Sequence, residues 1–206
     1  MQITGMLWGR KLLDLVEFPH SEVRGPELGV DDIKDMIKRH GQVFIKPLFK
    51  GGVGKKGKSG LLGRVDNITD ALKEKERLYF CEHVDGFNKV KSDGVTYEGA
   101  VPADYEVYFS ISESTEHRCP IMTVTHHGGV DIEELDEDKI KVVPFDALTG
   151  LKAFHVSNAL MELGAPPEVI SPLVQNLPKL WDLYNNYGML QLELNPIRMQ
   201  PGKGGR

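Results

Sequence analysis

The stretch 44-FIKPLFKGGVGKKGKSGLLGRV-65 decides how this chain is read. The apolar run that ends at Phe49 reads as a strand with one charged side chain, Lys46, and Pro47 marks it as a sheet edge or a strand end. Residues 61–65, "LLGRV", read as the strand that returns. A tight hairpin needs only about two to five loop residues and perhaps one glycine. Here Gly51, Gly52, Gly54, Gly57 and Gly60 are interleaved with Lys50, Lys55, Lys56 and Lys58. Glycines let a backbone approach a ligand closely and turn its N–H groups inward. The cradle 51-GGVG-54 followed by Lys55 therefore suits a polyphosphate, and Lys46 can reach the same phosphates. It is not a Walker A sequence, which needs GxxxxGK[ST] running into a helix, whereas a strand follows here. The plain alternative is a solvated hairpin tip.

With 206 residues, the chain has room for one large domain or two small lobes. Its formal net charge of -5 gives no global basic field of the kind nucleic acid selects. The positive charge is gathered after Lys46, while residues 131–138 are acidic and read as a solvated face. Cys81 and Cys119 form no CxxC pair and read as reduced thiols. The N-terminus lacks an apolar core of signal-peptide length. No stretch approaches the roughly 20 apolar residues that span a bilayer. The expectation is a cytoplasmic protein with neither membrane nor nucleic acid as partner.

Periodicity predicts an α+β organisation. Helices are expected over residues 9–20, over 29–42 with Asp31 or Asp32 as cap and Gly41 as stop, and from Asn67 or Thr69 to Phe80. Further helices are expected over 147–164, closed by Gly164, and over 166–188, bent or interrupted at Pro172 and Pro178. Strands are expected at "YEVYFSIS", at "CPIMTVTHHGG" and at "MLQLELNPI". In the last, Gln191, Glu193 and Asn195 share one face, Leu190, Leu192 and Leu194 the other, and Pro196 ends the strand. A small lobe is expected over about 21–96 and a larger one from 1–20 and 97–206.

Three more stretches can carry chemistry. Glu193 and Asn195, a carboxylate and an amide two apart, offer the hard oxygens Mg²⁺ prefers, or are simply a polar solvent face. Glu98 and Glu106 flank a connector of the kind that meets a base and ribose in a cleft, or are exposed acids. His126 and His127 are expected on opposite faces of a strand, unable to chelate one metal together. A structural strand-end role suits them better than a phosphohistidine.

The order of these pieces carries a resemblance. Lys46, 51-GGVGK-55, Glu98, Glu106, 128-GGVDIE-133, 149-TGL-151 and 193-ELNPI-197 follow one another. The series resembles the ATP-grasp region of the acyl-CoA synthetase superfamily, which includes the succinyl-CoA synthetase β subunit and ATP-citrate lyase. The resemblance runs over about residues 40–199, and "GGVDIE" with "ELNPI" is its specific part. It implies an ATP-grasp fold of two α+β lobes with the nucleotide between them. It implies that Lys46 contacts nucleotide phosphates and that Gly51, Gly52, Val53, Gly54, Lys55 and Lys58 form the loop over them. Val53 stands where many members have arginine, and Lys55, Lys56 and Lys58 compensate. Glu98, Gly99 and the backbone through Val101 resemble the adenine hinge, and Glu106 an acid near ribose and phosphates. Asn195 resembles an Mg²⁺ ligand, and Glu193 the catalytic acid that meets a phosphohistidine carried by a partner subunit or domain. "KP" after the strand, the Gly57–Leu61 close of the loop and "VP" near the hinge are more like the ATP-citrate lyase and citryl-CoA synthetase branch.

Family members carry a second Mg²⁺ ligand, an aspartate on the strand after "NP(L/I)", and then a CoA-ligase-type domain. The resemblance thus implies a fragment, ending by design or by cleavage in a glycine turn. It also implies ATP and Mg²⁺ as cofactors, CoA used by the full enzyme, and a hetero-oligomer. The rival reading is a non-catalytic module gripping RNA or another polyanion, with steep salt dependence and no need of Mg²⁺. Negative charge and a loop without interleaved aromatics speak against it. Another ATP-grasp ligase, joining a carboxylate to an amine, is a third option.

Overall fold

The computed structural model describes residues 6–49, 60–85, 88–129, 132 and 135–200. The glycine-rich cradle, Gly51 to Lys58, lies outside the described residues. The chain divides into two compact units, one of Met1–Leu12 and His20–Val101, the other of Leu13–Pro19 and Pro102–Arg206.

The first unit is a five-stranded antiparallel sheet with helices. Its elements are α1 (Met6–Asp14) except for its last two residues, which count with the second unit, β1 (Val23–Arg24), α2 (Val30–His40), β2 (Val43–Phe49), β3 (Gly63–Val65), α3 (Ile68–Tyr79), β4 (Glu82–Asp85) and β5 (Asn88–Gly99). The order is β1-β5-β2-β3, and β4 pairs with the opening residues of β5. Ile33, Met36 and Ile37 of α2 recur at helical spacing and are buried with Val43, Ile45, Val95 and Tyr97. The odd residues of β2 are buried and the even ones, Lys46 among them, half-buried, as the strand period of two requires.

Two sequence expectations need correction in this unit. Neither Asp31 nor Asp32 is the cap of α2: Gly29 takes that position, and Asp32 reaches back to accept its N–H at 3.2 Å. Pro47 does not lie on an edge strand, because β2 sits between β5 and β3. The pairing with β3 stops at Ile45, however, so among the described residues Pro47 falls where β2 keeps one neighbour, beside a register shift. A missing N–H is tolerated there. Asn67 caps α3 as the sequence predicts, accepting the Asp70 N–H at 2.9 Å.

The second unit holds a four-stranded antiparallel sheet, β8-β7-β6-β9, formed by β6 (Tyr105–Ser114), β7 (Cys119–Thr125), β8 (Lys141–Pro144) and β9 (Gln191–Met199). Its helices are α4 (Ala153–Glu162), α5 (Pro167–Asn176) and α6 (Lys179–Asn186). Pro172 lies inside α5 and Pro178 separates α5 from α6. The helix expected from residue 147 begins only at Ala153. The preceding residues turn instead, because the Asp146 carboxylate accepts the N–H groups of Leu148 and Thr149 at 2.9 and 2.8 Å. Pro196 does not end the last strand, which runs on to Met199 with a cis Asn195–Pro196 bond. Leu190 precedes β9 and is 86% exposed, so it does not join Leu192 on the apolar face.

In β6, Val107, Phe109 and Ile111 are fully buried, and so are Met122 and Val124 of β7, their neighbours on the same face. The opposite face carries Glu106, Tyr108, Ser110 and Ser112. Both cysteines are free. Among the described residues no helix is long and apolar enough to cross a membrane.

Candidate functional site

In the first unit the sheet register builds a polar cluster. Phe44 pairs with Glu98 and Lys46 with Thr96, so Lys46 and Glu98 stand diagonally on one face. The Lys46 ammonium donates to Glu98 Oε2, and Ser21 Oγ donates to Glu98 Oε1 at 3.0 Å. The ammonium also lies 6.0 Å from the centroid of the Phe44 ring. Lysine and carboxylate are both partly screened from water, where a charge pair is stronger than at an open surface.

The segment expected as a hinge, Glu98 to Val101, is braced from behind. The Gly99 N–H donates to Glu22 O at 3.0 Å and the Ala100 N–H to Gln42 O at 2.9 Å. The His40 ring lies so close to Gly99 that a Cβ there would meet it at 2.7 Å. Glu22 holds that ring through His40 Nε2 at 2.9 Å and is itself gripped by Arg39 and Arg24. The Arg39 guanidinium first, then His40 and Arg24, pull the Glu22 carboxyl down to about 2. A depressed carboxyl contributes stability above its unfolded pKa and loses it as pH falls through the folded one. Glu22→Gln is therefore expected to cost about 1 kcal/mol at pH 7, the scale of a partly exposed charge-assisted pair. The deficit should shrink as pH falls from about 4.5 toward 2, measured by denaturant melts of both proteins. A deficit independent of pH would show that the charge of Glu22 is irrelevant.

In the second unit the polar face of the sheet carries the other predicted residues. Glu193 pairs with Ser110 and Glu106 with Arg198, and a register shift falls between these pairs. Asn195 lies in the shifted stretch. Arg198 Nε contacts Glu106 Oε1 at 3.1 Å. Asn195 Oδ1 accepts the Gly129 N–H at 3.1 Å, and Glu106 O accepts the Gly128 N–H at 2.7 Å. Gln191 Nε2 donates to Glu193 Oε2 at 3.2 Å. The structure thus joins Lys46 with Glu98, and Glu106 with Asn195 through the double glycine.

His126 and His127 are not on opposite faces of a strand. β7 ends at Thr125, and the two rings lie side by side with centroids 4.2 Å apart. Burial, and then the His127 neighbour, hold His126 below the ordinary imidazole range.

Ser21, Gly128, Gly129 and Arg198 were not singled out individually from the sequence. The signal for the glycines was present in "GGVDIE"; none marks Ser21 or Arg198. The "TGL" motif has a packing role: Gly150 has φ +74°, and a Cβ there would lie 2.4 Å from Trp181 Cδ1.

No group of three or more His, Cys, Asp or Glu that could hold a metal occurs among the described residues. Mg²⁺, however, is bound through one or two protein oxygens together with water and substrate phosphates. The donor chemistry of Asn195 and Glu193, hard oxygens on one exposed strand face, fits that mode.

A family model described as ATP-grasp domain matches residues 18–199. Among curated relatives, the ADP-forming succinate–CoA ligase subunit β of Desulfatibacillum aliphaticivorans is 28% identical over 84% of this chain and 46% of its own length. The GDP-forming mitochondrial subunit β of Dictyostelium discoideum is 28% identical over 81% of this chain and 43% of its own. The chain spans about half the length of these relatives. Among solved structures, ATP citrate lyase from Methanothrix soehngenii, in complex with citrate and coenzyme A, superposes with a TM-score of 0.67. It is 21% identical, over 92% of this chain and 43% of that one. PH1788 from Pyrococcus horikoshii superposes at 0.74 with 16% identity, over 96% of this chain and 85% of that one. At such identities the structural likeness speaks for the fold alone.

Proposed function

Because this chain belongs to the ATP-grasp family, we propose that it is the nucleotide-binding, phosphoryl-transferring part of an ATP-dependent acyl-CoA synthetase. The observation that carries the proposal is the one-sided polarity of the second sheet. Glu106, Glu193 and Asn195 stand on a face with the hydroxyls of Ser110 and Ser112, while the centre of the other face of β6, Val107, Phe109 and Ile111, is apolar and fully buried. Such a face can accept metal and phosphate without opening the core.

In this reading Lys46 neutralises nucleotide phosphate charge, which generally dominates phosphoryl transfer. The loop Gly51, Gly52, Val53, Gly54, Lys55 and Lys58 donates N–H groups and charge to the same phosphates. Glu98, Gly99 and Val101 line the base, and Glu106 the ribose and phosphates. Asn195 holds Mg²⁺, which when bound draws charge from the phosphate oxygens. Glu193 orients a histidine of a partner subunit or domain. The terminal phosphoryl group leaves ADP and forms a P–N bond to that histidine, and the phosphohistidine then drives acyl phosphate and acyl-CoA formation.

Citrate is the acid we favour, from "KP" at Lys46–Pro47 and the Gly57–Leu61 close of the loop. Succinate is the second reading, favoured by the names of the curated relatives. The test is calorimetric titration of the protein with ADP or a non-hydrolysable ATP analogue, with and without Mg²⁺, beside the guanine analogues. Mg²⁺-dependent adenine binding is expected. Binding of any polyanion alike, abolished by salt and indifferent to Mg²⁺, would replace this reading with the polyanion module.

A further inference from the structure

We propose that Gly129 is a positioning residue: its backbone N–H fixes the Asn195 side chain as an oxygen donor, and its missing side chain keeps the Glu106 carboxylate beside it. The inference rests on the proposed metal role of Asn195 and goes beyond it.

An asparagine amide has two ends, and only the oxygen can ligate a cation. A free Asn195 would spend part of its time presenting NH₂. The Gly129 N–H, 3.1 Å from Oδ1, can bond only to an acceptor and so selects the orientation. The oxygen has a second lone pair, which the backbone bond leaves for the metal.

The turn that delivers this N–H is tied to β6. The Gly128 N–H is bonded to Glu106 O at 2.7 Å, and a Cβ on Gly128 would lie 2.6 Å from the Val107 carbonyl carbon. Gly129 adopts φ +75°, and a Cβ there would fall 1.9 Å from Glu106 Oε2. His127 bridges to Glu106 by backbone pairing, and Arg198 holds the other carboxylate oxygen at 3.1 Å. The turn after β7 thus crosses the start of β6, rests on its carboxylate and touches β9 at one amide. Two glycines are needed in that order, the first for the backbone crossing and the second for the left-handed turn.

The test measures the ratio of ADP affinity with Mg²⁺ to that without, in wild type, Gly129→Ala and Asn195→Asp. Mn²⁺ water-proton relaxation of the same complexes gives a second reading of the metal. Gly129→Ala is expected to reduce the affinity ratio and the Mn²⁺ affinity about tenfold. Asn195→Asp, whose carboxylate accepts the same N–H and presents oxygen whichever way it turns, adds a charge to the ligand and should raise the Mn²⁺ affinity rather than lower it. Should Gly129→Ala fail to fold, the Gly129 amide resonance of the wild type is compared with those of Asn195→Asp and Asn195→Ala. A resonance that stays in Asn195→Asp and moves upfield in Asn195→Ala supports the bond; one indifferent to both overturns it. A folded Gly129→Ala protein with an unchanged ratio also overturns the inference, while the metal reading stands. A wild type that binds ADP without any Mg²⁺ effect overturns the metal reading and this inference with it.

Discussion

Replacing Lys46 by methionine is expected to weaken binding of ADP and ATP analogues about 10–100-fold, the loss of one charge-assisted contact to phosphate. Methionine keeps most of the apolar stem and removes the ammonium with its charge and its donors. The ammonium has a partner in the free protein, Glu98, so phosphate must compete with a carboxylate for it. Glu98 keeps Ser21 when Lys46 turns away or is lost, which spares it a bare burial. Lys46→Arg should recover part of the affinity but not all, because a planar guanidinium does not reproduce a point charge at that position. Calorimetry at two salt concentrations separates the local effect from general charge. Affinity unchanged in Lys46→Met would remove Lys46 from the phosphate site.

Gly150→Ala is expected to destabilise the protein by about 2–4 kcal/mol. About 1–2 kcal/mol comes from placing a Cβ in the left-handed region, and the rest from overpacking. The new methyl would meet the indole of Trp181, which is edge-on to Phe145 at 5.1 Å and stacked on Tyr184 at 5.6 Å. Three aromatic rings would have to shift together. For a chain of this size the melting temperature should fall by roughly 5–15 °C. Scanning calorimetry decides it, and a loss under 1 °C would mean that the ring cluster yields without cost.

How far the sequence could be read follows from the range of the interactions involved. The alternation of "YEVYFSIS" and the spacing of Ile33, Met36 and Ile37 are local signals, and the elements they predict are present. Asn67 as a cap is equally local. The Asp146 turn was missed because apolar periodicity from residue 147 outweighed a single carboxylate. β1 and β4 were missed because such short strands, of two and four residues, exist through their partner β5 rather than their own pattern. The same holds at the candidate site. Lys46, Glu98, Glu106, Glu193 and Asn195 were legible by type and order. That Lys46 meets Glu98, 52 positions on, and that Gly129 meets Asn195, 66 positions on, depends on strand register that no local pattern encodes.

β6 writes two messages in one strand. Between Glu106 and Ser112 its odd positions, Val107, Phe109 and Ile111, build the interior, and its even positions carry the polar groups, Glu106 and Ser112 half-buried and Tyr108 and Ser110 buried. A scan of every substitution along it would look like a comb, with folding lost at one set of teeth and ligand at the gaps. Insertion of a single residue would exchange the messages, so this chain could not drift out of register and keep either one.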